Sequence, residues 1–178
     1  MKTLLAGLIL FALPNATRAE EQPWSEPVNG LRARLSLERQ KDSPFLKVFL
    51  ELQNTSDVAG IKSVRFTPSA IAPVVTNKSG EELSRAGGSY DGMSPIWTPL
   101  TVPFEGTLRF RMSFPGLGYN PTKDKTIVDL GSQQSWSIPK EGAWFLAATL
   151  KIEKKDGDHP SMNWSGTLSL PKVAIPQK

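Results

Sequence analysis

Residues 31–38 read LRARLSLE, an alternation of apolar and polar side chains that decides the fold class. This two-residue period is typical of a β-strand with one buried and one exposed face. Residues 46–53 repeat it, with leucine or valine at every even position. Phe49 falls on the polar side, which indicates that this second strand is covered on both faces. We therefore predict two neighbouring strands ending in the turn-forming residues 54–57.

The same period continues through the rest of the chain. Further strands are predicted at residues 61–67, with Val64 and Phe66 facing inward, and at 73–76, 108–114, 127–130, 136–138, 144–152 and 168–170. Helices are disfavoured because 15 prolines and 14 glycines interrupt the chain, and an interior proline costs a helix about 3 kcal/mol. The best helical candidate is a single turn at 81–85. The pattern predicts an all-β sandwich or barrel of seven to nine mostly antiparallel strands.

Residues 1–19 have the layout of a secretory signal peptide. Lys2 supplies the positive start, residues 4–13 are apolar, and small residues precede a cleavage site expected after Ala19. That apolar run is too short to cross a bilayer, which needs about 20 residues, so we predict no membrane span. We expect a secreted or periplasmic protein with a single domain over residues 20–178.

Charge and cysteine content exclude several functions. Two of the 21 Lys and Arg lie in residues 1–19, which leaves 19 against 17 Asp and Glu, a net charge of +2 instead of +4. That balance does not predict a nucleic-acid or anionic-membrane partner. The chain has no cysteine, which excludes disulfides and thiolate chemistry and is typical of a bacterial envelope protein.

Three segments resemble exported bacterial immunoglobulin-like or fibronectin-III-like domains. In residues 52–57 a strand runs into an Asn-x-Ser corner, in 129–146 a glycine precedes an aromatic strand, and 164–173 is similar to a closing strand. The resemblance covers about residues 24–175. It implies an immunoglobulin-like antiparallel β-sandwich of seven to nine strands with an adhesion, spacer or inhibitor role. It transfers no functional residue, and the disulfide of antibody domains has no counterpart here.

The residue set predicts no catalytic centre and no cofactor. The single histidine, His159, lies in a charged turn without a Gly-x-Ser-x-Gly motif elsewhere. Glu51 and Glu105 could serve glycoside hydrolysis only if they lay about 5–10 Å apart. Asp156 and Asp158 form a calcium candidate, but calcium takes about six to eight oxygen ligands, so a solvated turn is the favoured interpretation.

The five tryptophans offer the best binding candidates. Trp97 stands with Tyr90 and Met93 in the longest irregular stretch, 87–103, and these three are the predicted ligand-binding residues; the alternative is a loop packed on its own aromatics. Trp136 and Trp144 are expected in the core. Trp24 and Trp164 are expected over the edges of the fold.

Four arginines are predicted to point outward from two strands: Arg32, Arg34, Arg109 and Arg111. If those strands pair, their guanidiniums share one face that could receive an acidic partner; otherwise the face is merely solvated. We expect a non-enzymatic binding or structural module whose partner is a protein or a cell-surface polymer. The alternatives are a carbohydrate-binding module using exposed aromatics and a proteinase inhibitor acting through the 87–103 loop.

Overall fold

The chain folds into ten β-strands and one turn of 3-10 helix in the part that the structure, a computed structural model, describes. The described residues are 22–57, 60–86, 98–113, 125–130, 134–155, 157 and 163–177. The strands are β1 (Leu31–Arg39), β2 (Leu46–Asn54), β3 (Lys62–Phe66), β4 (Ile71–Asn77), β5 (Thr98–Val102), β6 (Thr107–Arg111), β7 (Thr126–Asp129), β8 (Ser135–Ile138), β9 (Trp144–Ile152) and β10 (Gly166–Ala174). The 3-10 turn, Pro68–Ala70, joins β3 to β4. The all-β class is confirmed, whereas the predicted count of seven to nine strands is too low.

The strands form four antiparallel sheets. Their orders are β1-β2-β6, β10-β9-β4, β3-β5 and β7-β8. The hairpin of β1 and β2 is the longest uninterrupted pairing, from Leu31 opposite Asn54 to Arg39 opposite Leu46. It places the alternating residues of both strands in matching rows, so one side of this sheet is apolar and the other polar.

The inward residues of all four sheets meet in one hydrophobic core. Leu50 on β2 and Leu146 on β9 are fully buried, and Val64 and Phe66 on β3 are buried as predicted. Fully burying one such aliphatic side chain contributes about 1.5–3 kcal/mol, so this shared core is what holds the separate sheets together.

Strand β5 corrects the interpretation of residues 87–103 as one irregular stretch. Residues 98–102 pair with β3, and Leu100 and Val102 alternate into the core. Pro99 lies within this strand, although proline donates no hydrogen bond to a ladder. It is accommodated because β3 and β5 form a two-stranded sheet, in which each strand has one unpaired edge.

The predicted helical turn at 81–85 is also wrong. The chain instead returns along β4: the Leu83 amide donates to the Val75 carbonyl at 2.8 Å, and Glu82 bridges to Thr76. One turn of helix makes too few hydrogen bonds to compete with this extended pairing. Within the described ranges, no helix has the length and hydrophobicity needed to cross a membrane.

Candidate functional site

The polar side of the β1-β2-β6 sheet carries seven charged side chains. We call this surface the arginine face. It consists of the outward-facing residues of the three strands: Arg32, Arg34, Ser36 and Glu38 of β1; Lys47, Phe49, Glu51 and Gln53 of β2; and Thr107, Arg109 and Arg111 of β6.

The register of the sheet sets the order of charges on the arginine face. Arg34 pairs with Glu51 on one side, and Glu51 pairs with Arg109 on the other. The two arginine-bearing strands therefore do not pair with each other, as the acidic-partner hypothesis had assumed, because β2 lies between them. All four arginines nevertheless share one face, with a carboxylate at its centre.

Glu51 neutralises the middle of the arginine face. Its carboxylate accepts hydrogen bonds from Arg34 Nε at 2.8 Å and from the Ser36 hydroxyl at 2.7 Å, and lies 3.2 Å from Arg109 Nε. Burial of Glu51 acts to raise its pKa, but the bonds from Ser36 and Arg34 and the two guanidinium charges outweigh this and lower it. At neutral pH Glu51 is an anion and cannot serve as a general acid.

Arg109 is fixed by contacts on several sides. Its guanidinium lies 3.7 Å from the centre of the Phe49 ring, and Nη2 donates to Glu38 Oε1 at 2.7 Å. A guanidinium over an aromatic face is attracted by the ring quadrupole. Phe49 led to the prediction that β2 is covered on both faces, and at this residue the outer face is covered by Arg109.

Trp24 contacts two of the three arginines of β1, Arg32 and Arg34. Its ring lies 5.1 Å from the Arg32 guanidinium carbon and 4.3 Å from that of Arg34. The segment before β1 is held beside this strand because the Ser25 amide donates to the Ala33 carbonyl at 2.9 Å. Trp24 was expected at an edge of the fold, and the structure places it beside the edge strand β1.

Two arginines on this face lack a carboxylate partner within the described part of the chain. Arg32 Nε donates to the Gln53 side chain at 2.7 Å, and Arg111 Nε donates to the Ser113 hydroxyl at 3.3 Å. Five cations and two carboxylates give the arginine face a formal charge of +3. The whole chain carries a formal charge of +4, so most of its net positive charge lies on this face.

Most predicted site residues lie outside the described residues. These are the aromatic candidates Trp97, Tyr90 and Met93, the calcium candidates Asp156 and Asp158, and His159. In the described ranges there is no group of three or more His, Cys, Asp or Glu side chains that could hold a metal ion.

The two candidate carboxylates for glycoside hydrolysis lie on different elements, Glu51 on β2 and Glu105 before β6. Glu105 lies in the turn before β6, four positions along the chain from Arg109, the register partner of Glu51. Glu51 is held by Arg34 and Ser36 on the arginine face, whereas Glu105 belongs to the turn.

The remaining tryptophans have structural roles. Trp136 is buried and donates from Nε1 to the Leu83 carbonyl at 3.1 Å, as expected of a core residue. Trp164 is buried and donates to the Val28 carbonyl at 2.7 Å. Trp144, predicted in the core, packs only at its margin, with Nε1 bonded to the Glu141 carbonyl.

Sequence reasoning placed the arginines correctly but missed their neighbours. Glu51 was considered only as an acid, although its position on the same side of β2 as Phe49 marked it as part of this surface. Comparison with protein-family models, curated proteins and solved structures finds no match.

Proposed function

We propose that this chain is an exported, non-enzymatic binding module with an immunoglobulin-like sandwich fold, and that its arginine face binds a carboxylate-bearing polymer of the cell surface. The observation that carries the proposal is the +3 charge of this face, with Arg32 and Arg111 unpaired by any described carboxylate. Guanidinium groups suit this partner because their planar donors match a carboxylate in two parallel hydrogen bonds.

The positions of Arg32 and Arg111 favour a polymer over a small anion. The two residues lie on the outer strands of the sheet, and their rows are four register positions apart. Strand spacing and rise place them about 10 Å apart across the sheet and about 13 Å apart along it. A single small anion cannot span that distance, whereas a chain with repeated carboxylates can contact both arginines.

The neutralised centre of the face supports the same function. Glu51, Trp24 and Phe49 hold Arg34 and Arg109 by ion pairs and ring contacts. Preorganised side chains lose less conformational entropy when a partner binds. Since guanidiniums cover these two rings, charge rather than stacking on sugar rings selects the partner.

Binding of polygalacturonate, with neutral dextran as the uncharged comparison, tests the proposal by calorimetric titration. Two exposed ion pairs at about 0.7 kcal/mol each amount to about a tenfold change in affinity. We expect the double variant Arg32→Ala/Arg111→Ala to bind polygalacturonate about tenfold more weakly than the wild type.

The matched control removes two exposed cations from the sheet of β9 and β10, as Lys151→Ala/Lys172→Ala. It should bind within about twofold of the wild type, because both variants change net charge equally but only one alters the arginine face. Equal losses in the two variants, or wild-type binding to dextran as strong as to polygalacturonate, would contradict the proposal.

A further inference from the structure

A mostly apolar cavity of about 140 Å³, open to solvent on one side, lies where strands of three sheets approach the β7–β8 hairpin. It is bordered by the end of β3, the starts of β4 and β5, the end of β6 and the residues that flank the β7–β8 connection. Of its eight lining residues, six are apolar, two are uncharged polar residues and none is charged. A site lined in this way selects a neutral and mostly apolar ligand.

The size and walls of the cavity suit a single aromatic ring. Phe66 and Phe110 line it with their ring centres 5.3 Å apart and their planes tilted by 59°. Aromatic rings favour such tilted contacts with one another. Met112 adds a flexible thioether side chain that can adjust to a bound ring. An apolar cavity of about 150 Å³ in another protein stays dry and binds benzene.

The two polar residues of the lining add a requirement for one polar group. Thr98 and Gln134 are the two polar residues that border the cavity. Thr98 is exposed at the start of β5, so it marks the side on which the cavity meets solvent. A ligand entering here meets one hydroxyl and one amide beside an apolar interior.

We propose that this cavity binds a small neutral aromatic molecule that carries one hydroxyl or carbonyl group. The ring packs against Phe66 and Phe110, and the polar group bonds to Thr98 or Gln134. The site is independent of the arginine face, because Phe110 points inward from β6 while Arg109 and Arg111 point outward.

Phenol is the probe, with benzoate as its charged comparison. We expect saturable binding of one phenol per chain with half-saturation at or below about 1 mM, and at least tenfold weaker binding of benzoate. In the wild type, the NMR signals of the Met112 methyl group and the Ile71 methyl groups should shift in proportion to occupancy. Unmoved methyl signals at saturating phenol, or equal affinity for benzoate, would overturn the proposal.

A variant at the solvent side provides a second test. Thr98→Phe should fill the mouth and weaken phenol binding at least tenfold. Thr101→Phe is the matched control, because Thr101 is exposed on the same strand with its side chain on the opposite face from Leu100 and Val102. Equal effects of the two substitutions would contradict the site. If Thr98→Phe does not fold, the wild-type methyl shifts alone decide.

Discussion

Glu51 and Arg34 are direct partners across the β1–β2 pairing, and the Glu51 carboxylate accepts a hydrogen bond from Arg34 Nε at 2.8 Å. Their side chains are only 11% and 16% exposed. This ion pair is therefore shielded from solvent far more than one on an open surface, and it determines the arrangement of charge around it. Both stability and partner binding should respond when it is removed.

Replacing Glu51 by glutamine should destabilise the fold. The Glu51→Gln variant leaves two guanidiniums without their shared counter-charge, and hydrogen bonds to charged groups contribute about 1.5–3 kcal/mol. We expect the free energy of unfolding, measured by urea titration, to fall by about 2–3 kcal/mol.

The control for that variant is Glu153→Gln. Glu153 pairs with Lys151 at 3.0 Å, but these side chains are 78% and 63% exposed, and exposed pairs contribute little. The change should stay within about 0.5 kcal/mol. Equal urea midpoints for the two variants would contradict the central role given to Glu51.

The stability supplied by Glu51 should depend on pH. Its pKa in the folded state lies below the ordinary value of 4.5, so the unfolded state binds a proton more readily as the pH falls. The contribution is fully present well above pH 4.5 and is lost as the pH falls from there through the folded-state pKa. Urea titrations of wild type and Glu51→Gln should give stability curves that converge on acidification. A gap that widened below pH 4.5 would refute the direction of the shift.

Two glycines with positive φ allow the stability cost of backbone strain to be measured apart from the cost of steric crowding. Gly30, in the Asn29-Gly30 turn before β1, has φ +74°, and an added Cβ would lie 2.7 Å from Ser56 Cβ. Gly80 has φ +89° with nothing within 4 Å of that position. We expect Gly80→Ala to cost about 1 kcal/mol from the left-handed conformation. Gly30→Ala should cost about 2–4 kcal/mol, because Ser56 must also move. Equal thermal midpoints for the two variants would mean that the contact with Ser56 carries no cost.

The sequence predicted which side chains of a strand are buried and which are exposed wherever apolar and polar residues alternate. Leu31, Ala33 and Leu35 are buried, and the arginines between them point outward, because a strand places successive side chains on opposite faces. The same argument identified Val64 and Phe66. It could also have found β5 from the alternation of Leu100 and Val102.

The order of strands was not predictable in the same way. The contact of β2 with β6 joins residues about 60 positions apart, such as Glu51 and Arg109, and no local pattern specifies which strand lies beside which. The same limit applies to the candidate site, because its residues come from three strands whose order the sequence does not specify. The outward arginines and the outward position of Glu51 could be predicted, but the pairing of Glu51 with Arg109 follows only from the placement of β6 beside β2.

Salt dependence should distinguish charge-driven binding from other modes. Exposed charges are screened over about 10 Å at 0.1 M salt and about 3 Å at 1 M. Polygalacturonate binding to the wild type should therefore weaken at least tenfold between about 0.05 and 0.5 M sodium chloride. The Arg32→Ala/Arg111→Ala variant should show a shallower dependence, since fewer ion pairs form. Calorimetric affinities that do not change with salt would contradict the electrostatic basis of binding.

The most direct test is to map polygalacturonate binding on the isotope-labelled chain by NMR. We predict that backbone amide shifts concentrate on β1, β2 and β6, and that the side-chain Nε signals of Arg32 and Arg111 move most on this face. Shifts concentrated instead on β9 and β10, with those arginine signals unchanged, would show that the polymer binds elsewhere.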